Sequence, residues 1–341
     1  MTQHKKVHKK SAQQRNSGAS APQAGILQEI PEHCRYLYYS LSQTADADSL
    51  IEALGVVVDG DKVVLGLGKA FMDFVGARTV AVKDAPVYSN AGIAVGVAPY
   101  AIWLWLRGTD RGELVYLTLK IQEALGDDAL LEDMVDGFRF REGRDLTGYV
   151  DGTENPAGPK ALQVCADGRG GSFVAVQKWV HDLGYMLSLP EAEQDAKIGR
   201  HKRHNEEFAA PPAAHVKRAE QEHYSPQAFL LRRSMPWADF SGEGLVFVAF
   251  ASSFYAFDAI MQRMLGKEDG IVDSLFVHAF TFLELLQAVD HAIVGIHLCL
   301  EWNLECEFTL SMLKHCVFCV TGCSPVCSCC TFNLSRIHII L

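Results

Sequence analysis

Ala101-Ile-Trp-Leu-Trp-Leu-Arg107 is apolar at every position but the last, and a helical stretch follows it between Asp110 and Gly126. An apolar run without polar alternation reads as a strand buried on both faces. Asp110 suits a helix N-cap, and Gly126 suits its stop. Farther along, Ser172-Phe-Val-Ala-Val-Gln-Lys-Trp-Val180 reads as a second such strand, and an amphipathic helix over residues 254–265 closes at Gly266. The fold class follows from what surrounds these two anchors.

Around the first anchor, Gly25-Ile26-Leu27 and Tyr36-Leu37-Tyr38-Tyr39 read as strand, as do residues 63–67 and 134–140. Thr44 is expected to cap a helix through Leu54, with Asp46 and Asp48 in its first turn and Gly55 at its end. Around the second, residues 191–198 read as helix, 199–224 as a long polar loop, and 228–233 and 245–251 as strands. A Gly/Pro-rich connection over 148–159 separates the two series. Strands and helices mixed twice at comparable length predict two α+β modules.

Composition bounds the function. The chain has 341 residues, 49% hydrophobic and 21% charged, with mean hydropathy +0.05, as a globular protein of about two domains requires. No apolar stretch approaches the roughly 20 residues that cross a bilayer, so no membrane partner is expected. Lys5, Lys6, Lys9, Lys10 and Arg15 sit in a first segment without acids, leaving 26 bases against 41 acids in the rest, a balance of −15. Such an acidic body repels a phosphate backbone, so nucleic acid is not expected either. Only Cys34 and Cys165 precede Cys299. That usage, with no apolar leader, points to a reducing, cytoplasmic compartment.

Three local signals carry chemistry. Gly148-Tyr-Val-Asp151-Gly152-Thr-Glu-Asn-Pro156 contains G-x-x-D-G, weak alone because Asp-Gly is a favoured turn pair; Gly266-Lys-Glu-Asp269-Gly270 repeats it as a surface turn. The longer string DGTENP sets the first apart. His201, His204, His215 and His223 share one loop region, yet no H-E-x-x-H or paired C-x-x-C supports zinc. Ala213-Ala214-His215-Val216 puts one histidine among small residues, where a flat macrocycle could approach closely. Leu230-Leu231-Arg232-Arg233-Ser234-Met235-Pro236-Trp237 ends an apolar strand with two guanidiniums on opposite faces, so only one of them can face a pocket, a solvated strand end being the plainer reading of either. Gly66-Leu-Gly68 opens like a dinucleotide loop but lacks its third glycine.

Together these elements resemble the dye-decolourising haem peroxidases, in their compact bacterial-type branch. The resemblance runs from Pro22-Gln-Ala-Gly-Ile-Leu27 through Trp103–Glu113, Val135-Asp-Gly-Phe-Arg139, the DGTENP string, Phe173–Asp182, His215-Val-Lys-Arg218 and Arg232–Trp237 to Glu268-Asp-Gly-Ile271. It implies an α+β fold of two ferredoxin-like domains with antiparallel sheets, of the dimeric α+β barrel kind. The expected layout is a disordered basic arm over 1–21, an N-terminal domain over 22–145, a haem-binding domain over 146–276, and a divergent Cys-rich tail over 277–341.

The resemblance also implies one b-type haem (heme b) per chain, with His215 as the iron ligand. Asp151 and Arg232 match the catalytic acid and arginine across the haem. Arg232, Ser234, Gly152 and Thr153 are expected to contact the cofactor, and Asp273 to support His215. The implied reaction reduces hydrogen peroxide and oxidises dyes, phenolics or similar bulky donors by one-electron steps. An assembly of identical copies is left open. Donors too large for a pocket call for an electron path through Tyr149, Trp179 or Trp237. The alternative is a haem or porphyrin carrier or sensor without turnover, which would not need the Asp151/Arg232 pair; a third reading is a haemless chain with a metal-binding Cys tail.

The resemblance is expected to fail after Ser274-Leu-Phe276, where Val277-His-Ala-Phe-Thr-Phe282 departs from the family pattern. The reading is therefore that the last strand of the second sheet is missing, its edge open or covered by a helix over 283–300. Cys316-Val-Phe-Cys319 has no partner pair at zinc-ribbon spacing, and the tail does not resemble the cargo signal for encapsulin shells.

Overall fold

The computed structural model describes residues 21–77, 82, 86–278 and 280–291. The basic arm and the cysteines from Cys299 onward lie outside these. In chain order the first half comprises α1 (Ala24–Leu27), β1 (His33–Leu41), α2 (Ala47–Val57), β2 (Val63–Gly68), α3 (Lys69–Phe74), the small hairpin β3 (Ser89–Asn90) and β4 (Ile93–Ala94), β5 (Ile102–Gly108), α4 (Arg111–Leu125) and β6 (Ala129–Phe138). The second half comprises α5 (Pro159–Cys165), β7 (Gly171–His181), α6 (Leu183–Ser188), α7 (Glu191–Ile198), α8 (His215–Ala219), β8 (Leu231–Arg232), β9 (Met235–Asp239), β10 (Gly242–Ala251), α9 (Tyr255–Met264), α10 (Ser274–His278) and β11 (Phe280–His291).

The strands of the main sheet run β7-β11-β2-β5-β1-β6-β9-β10-β8, and a further β7–β10 pairing closes it on itself. Four antiparallel strands of each half follow the ferredoxin-like order, β6-β1-β5-β2 and β9-β10-β7-β11, and the two-residue β8 adds to β10. The halves join where β11 meets β2 and where Gly137 meets Trp237. Closure removes the free edges that either half alone would expose.

Period-two alternation sorts the side chains. Tyr36, Trp103, Trp105, Val174, Val176 and Trp237 share the cluster inside the barrel. Leu37, Leu65, Leu104 and Leu106 face outward under α2 and α4 with Leu50, Leu54 and Ile121. In the second half, Ala175, Trp179 and Ala249 face outward against Phe257, Ile260 and Met261 of α9. Strands 101–107 and 172–180 read as wholly apolar because both of their faces are covered. Gly68 owes its place to packing: a Cβ there would lie 2.1 Å from the Tyr100 carbonyl oxygen.

Several expectations are corrected. The stretch 25–27 is helix α1, not strand. The Gln23 side chain takes the ladder positions on Leu65, donating to its oxygen at 2.8 Å and accepting from its nitrogen at 2.9 Å. The helix expected from Thr44 begins instead at Ala47, because Asp46 accepts from Ser49 N at 2.8 Å, and it runs through Gly55 to Val57. Within 228–233 only Leu231 and Arg232 are strand; Gln221 takes the nitrogens of Ala228 and Leu230 through its own carbonyl and side chain. The polar loop 199–224 contains α8 and a 3-10 turn over Gln221–His223.

The largest correction concerns the ending. Residues 280–291 form β11, paired along β7 from Phe280–His181 to His291–Gly171 and with β2 at Ala288–Gly68. The described part of the expected helix is thus the strand expected to be missing; residues 292–300 lie outside the described residues. Leu, Glu, Gln and Ala favour a helix locally, but two unpaired strand edges offer a full set of backbone partners, and tertiary demand overrides propensity. Among the described residues no helix is long and apolar enough to cross a membrane.

Candidate active site

A cavity lies between the outer face of the second-half sheet and α9. Its apolar walls include Leu245, Phe247, Ile260 and Met264, while Asp151, His215 and Arg232 supply charge. A neighbouring opening shares Asp151, His215 and Arg232 and adds Gly152, Thr153 and Glu154. Residues distant in the chain therefore converge on one continuous hollow.

His215 starts α8. Its Nδ1 lies 2.8 Å from Oδ2 of the fully buried Asp273, whose other oxygen accepts from Leu275 N at 2.9 Å. Ser274 N donates to Ala213 O at 2.8 Å, which pins this segment beside α8. With Nδ1 donating to a carboxylate, Nε2 is left as the lone-pair nitrogen. Burial opposes protonation of the ring most strongly, but the charge and hydrogen bond of Asp273 outweigh it and raise His215 above the ordinary imidazole value.

Asp151 and Arg232 are positioned by a device that the local reading missed. Asn155, in the same DGTENP string, clasps the Arg232 backbone from both sides: its Oδ1 accepts from Arg232 N at 2.8 Å and its Nδ2 donates to Arg232 O at 2.9 Å. The turn itself is held by Gly152 N donating to Asp151 Oδ1 at 2.7 Å and Asn155 N donating to Gly152 O at 2.9 Å. Gly152 has φ +72°, and a Cβ there would lie 2.8 Å from Asn155 Nδ2, so glycine serves both the turn and the clasp. The asparagine within DGTENP was the available signal, but its partner lies 77 residues away.

The Asp151–Arg232 ion pair is loose at 4.0 Å, and Arg232 Nε is buried without a hydrogen-bond partner among the described residues. Arg233 turns the other way, donating to Ile26 O at 2.9 Å and Leu27 O at 3.2 Å, as alternation along a strand requires. Thr153 is exposed at the neighbouring opening and bonds Asn205. Ser234 does not join the residues lining either hollow; it is buried, with its Oγ accepting from Val248 N at 3.4 Å. Of the loop histidines, His201 pairs with Asp195, His215 with Asp273 and His223 with Glu220. No group of three metal-ligating side chains stands together among the described residues.

The inner wall holds a second His–carboxylate pair that the sequence reading did not single out. His181 Nε2 lies 2.8 Å from Asp145 Oδ2, and Thr147 donates to the other oxygen from Oγ1 and N. Burial alone would raise Asp145, but His181 and Thr147 hold it below the usual carboxylate range. The site thus combines one imidazole with a free ring nitrogen, an acid–guanidinium couple and apolar walls.

Comparisons with known proteins agree with this geometry. Residues 142–282 match the family described as Dyp-type peroxidase, C-terminal, a match that runs past Phe276, where the resemblance was expected to end. A dye-decolorizing peroxidase of Mycobacterium tuberculosis is 30% identical over 226 residues, which cover 62% of this chain and 68% of that protein. One from Rhodococcus erythropolis is 33% identical over 45% of this chain and 50% of its own. A variant of Rhodococcus jostii DypB in complex with heme superposes with a TM-score of 0.70 at 25% identity, covering 79% of this chain and 96% of that one. Fold, cavity and sequence likeness converge: this chain belongs to the dye-decolorizing peroxidase family.

Proposed function

We propose that this chain is a haem-dependent peroxidase that reduces hydrogen peroxide and oxidises dyes, phenolics or similar donors one electron at a time. The observation that carries the reading is the convergence of His215, Asp151 and Arg232 on one cavity. Its residues fit a haem. Apolar side chains line the hollow, His215 offers Nε2, and Arg232 Nε is buried with no hydrogen-bond partner among the described residues. We assign the group as haem b with His215 as its iron ligand, and Gly152 and Thr153 at the rim; Ser234 acts through its bond to β10.

Bound there, the group supplies an iron at which peroxide is cleaved and a store for the oxidising equivalents. The protein's own contribution is acid–base and electrostatic. The Asp151 carboxylate takes a proton from one peroxide oxygen and returns it to the other, the one that departs as water. Arg232 stabilises the negative charge that develops on the departing oxygen, and its loose pairing leaves Nε and the guanidinium edge available for that task. Asp273 holds the His215 ring in one orientation and increases its electron donation. Asp151 and Arg232 are only partly exposed, which makes their charges act more strongly than they would in open water.

The direct test is reconstitution with haem. The loaded protein should show a haem absorbance band that shifts on addition of peroxide and should bleach an anthraquinone dye only when peroxide is present. Haem binding with no peroxide-dependent bleaching or phenol oxidation would reduce the protein to a carrier. Asn155→Ala supplies a finer check. It should keep haem and yet lose about 10- to 100-fold in the rate of reaction with peroxide, because the arginine is no longer tethered to the Asp151 turn. A rate equal to that of the unmodified protein would remove Asn155 from the positioning role.

A further inference from the structure

The backbone ladder is interrupted beside Arg232. Strand β8 pairs with β10 only at Leu231–Phe250 and Arg232–Ala249. Arg233 N donates to Val248 O at 2.7 Å, but Val248 N turns to the Ser234 hydroxyl at 3.4 Å, and regular pairing resumes at Met235. Arg232 therefore ends a two-residue strand, with little ladder to fix it. Its carbonyl oxygen has two side-chain donors instead: Asn155 Nδ2 at 2.9 Å, from the Asp151 turn, and Arg233 Nη1 at 3.1 Å.

Arg233 is in turn anchored outside its own half. Its Nε donates to Ile26 O at 2.9 Å and its Nη2 to Leu27 O at 3.2 Å. These carbonyls belong to the last turn of α1, where the helix itself offers no partner. The α1 segment is fastened to the first half: Gly25 N donates to Gly60 O at 2.8 Å, and Arg107 Nη2 donates to Glu29 O at 2.7 Å. Ile26 is fully buried in the same cluster as Val64 of β2 and Leu231 of β8. Burial, and then the nearby charge of Arg107, bring Arg233 down to about 10, so it stays a cation at neutral pH. Two like charges thus stand near each other, and the carbonyls of one short segment serve both. Without that segment each would lose acceptors that partly buried cations need.

We propose that residues 23–29 act as a strap that sets the active site of the other half: through Arg233 they fix the backbone of Arg232, and with it the approach of the Arg232 guanidinium to Asp151. Arg233 is then a positioning residue; it lines neither of the two hollows and works only through its neighbour. The line of bonds runs from the α1 carbonyls to the Arg233 guanidinium, the Arg232 carbonyl, Asn155 and the Asp151 turn. Asn155 holds Arg232 from one side and Arg233 from the other. Loss of either lets an ion pair already at 4.0 Å drift further apart. The consequence for peroxide rests on the peroxidase reading, in which Arg232 stabilises the departing oxygen.

Two variants unfasten the strap at opposite ends. Arg233→Leu removes the fork. Gly25→Ala leaves Arg233 in place but unseats α1, since a Cβ there would lie 2.6 Å from both the Asp61 carbonyl oxygen and Val64 Cγ2. The haem-loaded proteins are titrated with fluoride, an anion that binds ferric haem and is held there by a hydrogen-bond donor, and are mixed with peroxide in stopped flow. Both variants should load haem as the unmodified protein does, weaken fluoride binding by about fivefold or more and slow the peroxide reaction by about tenfold or more. Arg232→Leu should weaken fluoride at least as much, and in that background neither variant should weaken it further. Arg233→Lys, which keeps the charge without the fork, should still bind fluoride about threefold more weakly than the unmodified protein. Unchanged fluoride affinity in both strap variants or in Arg232→Leu overturns the strap. So do losses that persist undiminished in the Arg232→Leu background, loss of haem from both variants, or an Arg233→Lys protein equal to the unmodified one. If Arg233→Leu does not fold, Gly25→Ala decides by the same readings. Unmodified protein that binds haem and fluoride but consumes no peroxide defeats the peroxidase reading alone, and the fluoride series still decides the strap.

Discussion

His215→Ala protein should fold but lose its haem. The substitution removes an imidazole that, alone among the described residues, combines a place in the cavity with an Nδ1 bond to a fully buried carboxylate. Loss of a partner behind a metal ligand commonly costs about 10- to 100-fold in affinity, so loss of the ligand itself should exceed about 100-fold. A titration of haem into the purified protein, followed by absorbance, reads this directly. The unmodified chain should saturate at one haem per chain, the variant should not saturate at micromolar haem, and added imidazole should restore part of the band by filling the vacated space. A variant with full occupancy and an unshifted spectrum would place the iron ligand elsewhere. Circular dichroism separates loss of ligand from loss of fold, since α8 is short and the barrel does not depend on it.

Asp151→Asn and Arg232→Leu should each leave haem bound and slow the reaction with peroxide. Removing a proton-transfer group costs about 10²–10⁴ in rate. Removing a preorganised charge costs about 10²–10³. Because the two side chains face each other at 4.0 Å and share the Asn155 clasp, the double variant should lose less than the product of the single losses. Stopped-flow absorbance after peroxide mixing measures all three rates. If either single variant stayed within about threefold of the unmodified protein, its residue would have no part in O–O cleavage.

The strands and helices with strong patterns were legible in the chain itself. Ile102–Gly108 and Gly171–His181 show continuous apolar runs, and Arg111–Leu125 carries both its cap and its stop. Elements that depend on distant partners were not. Helix α1 forms because Gln23 occupies Leu65's ladder positions, and Leu231–Arg232 is short because Gln221 occupies the backbone before it. Strand β11 is the clearest case, for its composition favours a helix and only the gap between β7 and β2 makes it a strand.

The site divides in the same way. Asp151, Arg232 and His215 could be singled out through the family resemblance, since their local strings alone also read as a turn, a strand end and a loop histidine. Their convergence could not, and neither could the Asn155 clasp, the His181–Asp145 pair or the bonds that Asp195 makes to the Tyr149 hydroxyl and to His201. Each of those depends on which side chains a closed barrel brings within hydrogen-bond reach.

The linear chain by itself determined the two α+β series, the acidic body and the chemical kinds of the reactive side chains, since periodicity, charge and residue type are local properties. Tertiary structure alone decided that residues 280–291 complete the barrel, that Ser234 bonds the sheet instead of lining the cavity, and that a phenol and a carboxylate meet behind the cavity wall. These depend on contacts between segments far apart in sequence, where the need to pair strand edges and buried polar atoms overrides local preference.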